Sequence, residues 1–199
     1  MPPIPPVTQA LMLLCTAVFC LQWLLPITPW FALHALQGGY FMPWQPITFA
    51  LIHQDMLQLF FNMLALWMFG ADYERLWGSR RFGQFLLASV LTAAACALVV
   101  MLLGGGTATA SGASAAIYGL LFATAAMFPD RTIMPLFPPI PMKARTFVIV
   151  FCALVLVTNL SLTRQFVEIA MLGGMLGGWG MLLHWRGKAP WSKKRRGGW

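Results

Sequence analysis

The amino-acid sequence predicts an all-α membrane protein of six transmembrane helices with both termini in the cytoplasm. Three observations carry that expectation: the composition, a succession of six apolar runs, and a one-sided distribution of Lys and Arg. The chain has 199 residues, of which 59% are hydrophobic and 9% charged. A soluble domain carries about a quarter charged residues, so this chain has too few polar groups to coat a water-soluble globule. One membrane domain is expected over residues 1–185, followed by a basic cytoplasmic tail over 186–199.

The apolar runs lie near residues 8–25, 51–70, 83–103, 113–128, 144–161 and 166–184. The first follows a leader without Lys or Arg and offers no small-residue cleavage site before Pro26, so it reads as a retained span rather than a signal peptide. Pro26, Pro29 and Pro43 keep the 26–47 connection irregular. The fourth run is short for a span of about 20 residues. It fits if other helices surround it and water reaches its outer end. The Gly-rich stretch 104–112 reads as the loop feeding it. Pro129, Pro135, Pro138, Pro139 and Pro141 make the next connection extended and turn-like. Cys15, Cys20, Cys96 and Cys152 all fall in apolar runs, with no Cys-x-x-Cys or Cys/His cluster. They read as buried thiols packing as small hydrophobes, and no metal or other cofactor is expected.

Charge gives the runs a direction. The connections 26–47 and 104–112 hold no Lys or Arg. The cations Arg75, Arg80, Arg81, Arg131, Lys143, Arg145 and the six of the tail alternate with them, so that of thirteen only Arg164 falls on the opposite side. The positive-inside rule places both termini in the cytoplasm. The tail run Lys193–Arg196 is expected to hold that topology and meet anionic lipid, not nucleic acid, with Trp185 and Trp191 as interfacial anchors.

In that orientation the second, fourth and sixth runs start in the outer half of the membrane. Their early residues then share one layer: His53, Gln58 and Asn62 on the second, Ser114 on the fourth, Met171 on the sixth. Intramembrane polar clusters are costly and default to functional sites. Gln58 and Asn62, four apart, share a helix face. Ala115, Gly119 and Ala123 form a small-residue stripe, and Gly173, Gly174, Gly177 and Gly178 supply two overlapping G-x-x-x-G pairs. Both suit close backbone contact between the fourth and sixth helices, which is a generic packing device unless Ser114 at its top is functional.

Several separated segments carry a family resemblance. These are WQPITFALIH (44–53), NMLALWMFG (62–70) with Glu74 and GSRRF (78–82), GASAAIYG (112–119), PPIPMKA (138–144) and AMLGG (170–174). Together they resemble the rhomboid family of intramembrane serine proteases, in its six-span bacterial form, over about residues 7–185. The resemblance implies a rhomboid-like fold in the bacterial inner (plasma) membrane that acts on transmembrane helices of membrane proteins. It implies Ser114 as nucleophile and an oxyanion hole from the Ser114 N–H, Asn62 and Gln58. It further implies Tyr118 packed on the base, His53 in a structural role, and Gly112 and Gly174 as supporting glycines.

Three positions depart from the family pattern. Met171 stands where the general-base histidine belongs, and a thioether cannot take the hydroxyl proton of serine. Gln58 replaces a histidine but keeps an NH2 able to donate to an oxyanion. Ala115 replaces a glycine at a close helix contact. The expectation is a pseudoprotease-like scaffold that engages transmembrane segments with proteolysis weak or absent. The alternative is an active intramembrane serine endopeptidase with an unusual base, for which His53 and Glu168 are the available groups; His184 lies at the wrong depth and no pattern places His34. A transporter or channel lacks its buried charge, since Asp55 and Glu168 lie near span ends.

Overall fold

The computed structural model describes residues 3–104, 109–134, 140–160 and 166–186. Helix α1 (Pro6–Leu24) begins with a proline at its first position, where no N–H is needed. It ends where Leu25, preceding Pro26, is forced extended. The 26–47 connection is more ordered than its prolines suggest. It contains α2 (Thr28–Phe31), a short strand β1 (Leu33–His34) and a 3-10 turn at Leu36–Gly38. Helix α3 (Gln45–Thr48) follows and continues as a 3-10 turn through Leu51.

The second apolar run is not one straight helix from residue 51. The chain bends by 96° between residues 45–51 and the helix Met56–Trp77, so His53 lies in the bend and not on the helix that carries Gln58 and Asn62. The physical cause is Asp55, whose carboxylate accepts from the Gln58 N–H at 2.7 Å and caps a new helix start at Met56. That helix comprises α4 (Met56–Ala65), a π turn over Leu66–Gly70 and α5 (Ala71–Trp77). It therefore runs well into the segment expected as a loop. Gly78, at φ 78°, stops it and lets α6 (Ser79–Gly104) start at once.

Strand β2 (Thr109–Ala110) pairs antiparallel with β1, Leu33 opposite Ala110. It leads into α7 (Ser114–Met127), whose residues from Ser114 to Leu121 are all buried. A helix apolar on all sides is a core helix, and α7 is the centre of the molecule, as its shortness suggested. The turn-like connection after it forms a two-stranded hairpin, β3 (Thr132–Ile133) with β4 (Met142–Lys143), followed by α8 (Ala144–Leu160). Pro135, Pro138 and Pro139 lie outside the described residues, as do Arg164, Trp191 and the Lys193–Arg196 run.

The sixth run is also interrupted. Helix α9 (Phe166–Met171) ends, a turn covers Leu172 and Gly173, and α10 (Gly174–Arg186) resumes. The N–H groups of Leu172, Gly173 and Met175 reach back only three residues, to Ile169, Ala170 and Leu172, so the backbone tightens there. These glycines serve two different neighbours. A methyl on Gly174 would strike the Ala115 backbone on α7, and one on Gly178 would meet both the Gly119 backbone on α7 and the Phe85 ring on α6; one on Gly173 would strike Cys96 and one on Gly177 Ala88 and Thr92, all on α6. The last helix is thus wedged between α6 and α7, more closely than the single α7 contact expected from the sequence.

The first and last described segments meet the same short region. The Glu74 carboxylate accepts from the Val7 and Thr8 N–H groups at 2.9 and 2.7 Å, capping α1, and Arg75 donates to the Pro3 carbonyl. Trp185 lies edge-on to Trp77 at 5.2 Å and is buried with Phe85. It is a core aromatic, not the interfacial anchor expected, because three aromatics gather at this end. Of the cysteines only Cys15 is buried; Cys20 is exposed, since α1 turns most of its surface outward. Helices α1 and α6 are long and apolar enough to cross a membrane, with the bent pair a third if counted as one; α7 is a shorter apolar helix, as is Ala144–Val157.

Candidate functional site

Ser114 is the first residue of α7, and a helix start leaves its N–H without an intrahelical acceptor. The approach is set by Gly112, at φ 108°, a conformation that side-chain-bearing residues rarely adopt. Three attachments hold the segment in front of the serine. Strand β2 is paired to β1. The Gly112 N–H donates to the Phe49 carbonyl at 2.9 Å. The Gln54 Nε2 donates to the Ser111 hydroxyl at 3.1 Å.

Gly112 also leaves room. A Cβ there would lie 2.9 Å from Gln58 Nε2 and 3.5 Å from Ser114 Oγ, so the Gln58 amide and the serine hydroxyl border the same small space. One turn further along α4, Asn62 is buried and its Nδ2 has no hydrogen-bond partner among the described residues. A buried donor left unpaired costs about 1–3 kcal/mol, which makes it a place where an acceptor from outside would be welcome. The expected set of Ser114, Gln58 and Asn62 is thus two partly to fully buried amides and a hydroxyl, with Gln58 and Ser114 both bordering the space at Gly112.

Met171 is 1% exposed and closes α9. The turn after it delivers Gly174 against the backbone of Ala115, the residue after the serine, so the departure from histidine sits on the element packed beside Ser114. Ala115 is fully buried at that contact. Tyr118 packs edge-on against Phe151 on α8 at 5.7 Å.

His53 is buried and clamped through its backbone by Gln22, whose Oε1 accepts from its N–H and whose Nε2 donates to its carbonyl. Its Nδ1 lies 3.1 Å from the Leu51 carbonyl. A carbonyl only accepts, so Nδ1 carries the proton and Nε2 presents a lone pair, which has no partner among the described residues. Glu168 falls on α9, but its side chain lies outside the described residues. His34, which no sequence pattern placed, lies in β1 beside an open cavity of about 260 Å³ lined also by Ala35, Gly38, Tyr40 and Thr109.

Sequence reasoning missed Gln54, Ser111 and Gln22. Gln54 precedes Gln58 by four residues, but the two are joined across a helix start and not along a helix face. Gln22 acts from a helix otherwise turned outward. The only available signal was their polarity within or next to apolar runs.

The Rhomboid domain model matches residues 40–186. The rhomboid protease GlpG of two Klebsiella pneumoniae strains is 33% identical over 91 residues, 44% of this chain. That match spans 32% of the relatives' own length. A domain match over most of the chain, on a helical apolar fold with a serine opening its central helix, identifies the protein as a member of the rhomboid family.

Proposed function

We propose that the chain is a six-span rhomboid scaffold that engages transmembrane helices of membrane proteins and, with Met171 in place of the base, cuts them weakly or not at all. Several contacts support the six-span reading with both termini in the cytoplasm. Residues 3–8, 74–79 and Trp185 gather at one end, and the Arg131–Asp72 pair at 2.7 Å brings the 129–145 connection to the same region. Helix α7, at 14 residues, is about 21 Å long, against a hydrocarbon core of about 30 Å. Its serine would then start below the outer surface. Irregular backbone at that depth is tolerated where it is buried in protein, as Ala110 and Ser111 are.

Met171 carries the functional reading. Ser114 keeps a helix-start N–H, an amide donor and buried surroundings, which suffice to bind a carbonyl oxygen. A serine hydroxyl without a base is a poor nucleophile. Removing one member of a serine protease triad leaves only the residual catalysis of binding and oxyanion stabilisation. Bilayer-buried, helix-breaking segments of other membrane proteins are the partners this site fits, with anionic lipid at the basic tail. The test is labelling of Ser114 by a fluorophosphonate in liposomes: the unmodified chain stays unlabelled, and Met171→His becomes labelled.

The bare, buried Nε2 of His53 favours a second reading, an active endopeptidase with a displaced base. Under that reading the unmodified chain is labelled at Ser114, and His53→Ala abolishes the labelling.

A further inference from the structure

The geometry points to Gln54 as a positioning residue that aims the Gln58 amide at Ser114; this rests on Ser114 being the reacting centre proposed above. The Gln54 N–H donates to Gln58 Oε1 at 2.8 Å. A backbone N–H can only donate, so the atom of Gln58 that faces it is the carbonyl oxygen, and the NH2 occupies the other arm of the fork. That arm is the one beside Gly112 and Ser114. Without the Gln54 N–H the amide is free to turn over and present an acceptor to the serine oxygen, which repels it.

The Gln54 side chain fixes the other half of the geometry. Its Nε2 bond to the buried Ser111 hydroxyl ties the bend before α4 to the residue that precedes Gly112. Asp55, accepting from the Gln58 N–H at 2.7 Å, holds the same turn of α4. Main chain and side chain of one residue therefore set both the direction of the Gln58 donor and its distance from the segment carrying the serine. The amide does not titrate, so its donor stays neutral at every pH, whereas an imidazole at position 58 would gain a second N–H and a positive charge as the pH falls.

The test uses a nucleophile that needs no base. In a chain with Cys15, Cys20, Cys96 and Cys152 replaced by alanine, Ser114→Cys is reacted with methyl methanethiosulfonate across a pH series. The thiolate forms a mixed disulfide and methanesulfinate leaves. A donor aimed at position 114 stabilises the thiolate, so the midpoint of the profile reports the aim while its plateau reports access. Gln58→Leu should move the midpoint up by about one pH unit, a tenfold loss of thiolate at a given pH. Gln54→Ala and Ser111→Ala leave the Gln54 N–H on Gln58 in place and remove only the tie to the serine segment, so each should move it in the same direction by a smaller amount, equal in the two, with the double variant adding nothing, as expected for one shared bond. An unmoved midpoint in Gln58→Leu, or a shift there with the midpoint left in place by Gln54→Ala and Ser111→Ala, overturns the assignment. Because no group at position 171 takes part, this result stands or falls separately from the gain of reactivity expected of Met171→His.

Discussion

At the scale of single residues, Gly112 shows how little freedom the site has. Its φ of 108° is a backbone state that L side chains avoid, and a methyl there would press on the Gln58 amide. Gly112→Ala should therefore lower stability by about 1–3 kcal/mol and displace the donor from the serine. Thermal unfolding in detergent checks the first effect, and an unchanged melting temperature would show that the loop relaxes. Ser114, Gln58 and Asn62 were legible in the sequence because each is polar within or at the mouth of an apolar run. Gln54 was not, although it too is polar within the run 51–70, because its partner Ser111 lies 57 residues away and no spacing links the two. The cysteines mislead in the opposite way: hydropathy says they lie in apolar surroundings, yet Cys20 faces outward, since a lipid-facing and a core-facing position have the same composition.

At the scale of elements, the hydropathy profile found the apolar segments but not their breaks. The run 51–70 stays apolar on average despite His53, Gln54 and Asp55, and apolar residues continue through Met171 and Leu172, so hydropathy marks neither the bend at Asp55 nor the turn after Met171. What divides them is a capping carboxylate in one case and a tightened backbone at glycine in the other. The glycines of α10 give a sharp contrast. Gly174→Ala should destabilise markedly, because the added carbon meets the Ala115 carbonyl and backbone cannot step aside; overpacking of this kind costs about 1–3 kcal/mol. Gly180→Ala meets nothing within 4 Å and should be neutral or stabilising by about 0.5–1 kcal/mol. Equal melting temperatures for the two would mean that α10 does not sit against α7.

Glu74 joins two elements in a way that depends on pH. Burial alone would raise its pKa, but hydrogen bonds from Ser79 Oγ, the Val7 and Thr8 N–H groups and Thr8 Oγ1 outweigh burial and hold it below the ordinary carboxylate value. A depressed folded pKa means that its stabilisation is present above the unfolded value of about 4.3 and is lost as pH falls through the folded one. Thermal stability should drop below about pH 4. Glu74→Gln should be less stable at neutral pH and lose less on acidification. A parallel acid profile for the two proteins would remove Glu74 from the account.

At the scale of the whole molecule, one end gathers the N-terminal residues, the 71–79 segment and Trp185, while the other carries β1, β2 and the serine. The proposed orientation follows the charge pattern of the sequence, in which the cations cluster in alternate connections. A cysteine at Gly38 should label from outside and one at Ala189 only from inside, in a chain freed of its own cysteines; the reverse would overturn the orientation. The central claim is that the scaffold keeps its nucleophile and lacks its base. The direct measurement is cleavage of a single-span substrate in liposomes by the unmodified chain, its Ser114→Ala variant and Met171→His. Unmodified and Ser114→Ala proteins should be indistinguishable and leave the substrate uncut. Met171→His should cleave in a serine-dependent way, by the general-base route an imidazole opens. Cleavage by the unmodified chain that disappears in Ser114→Ala would contradict the account, because a working base would then exist elsewhere.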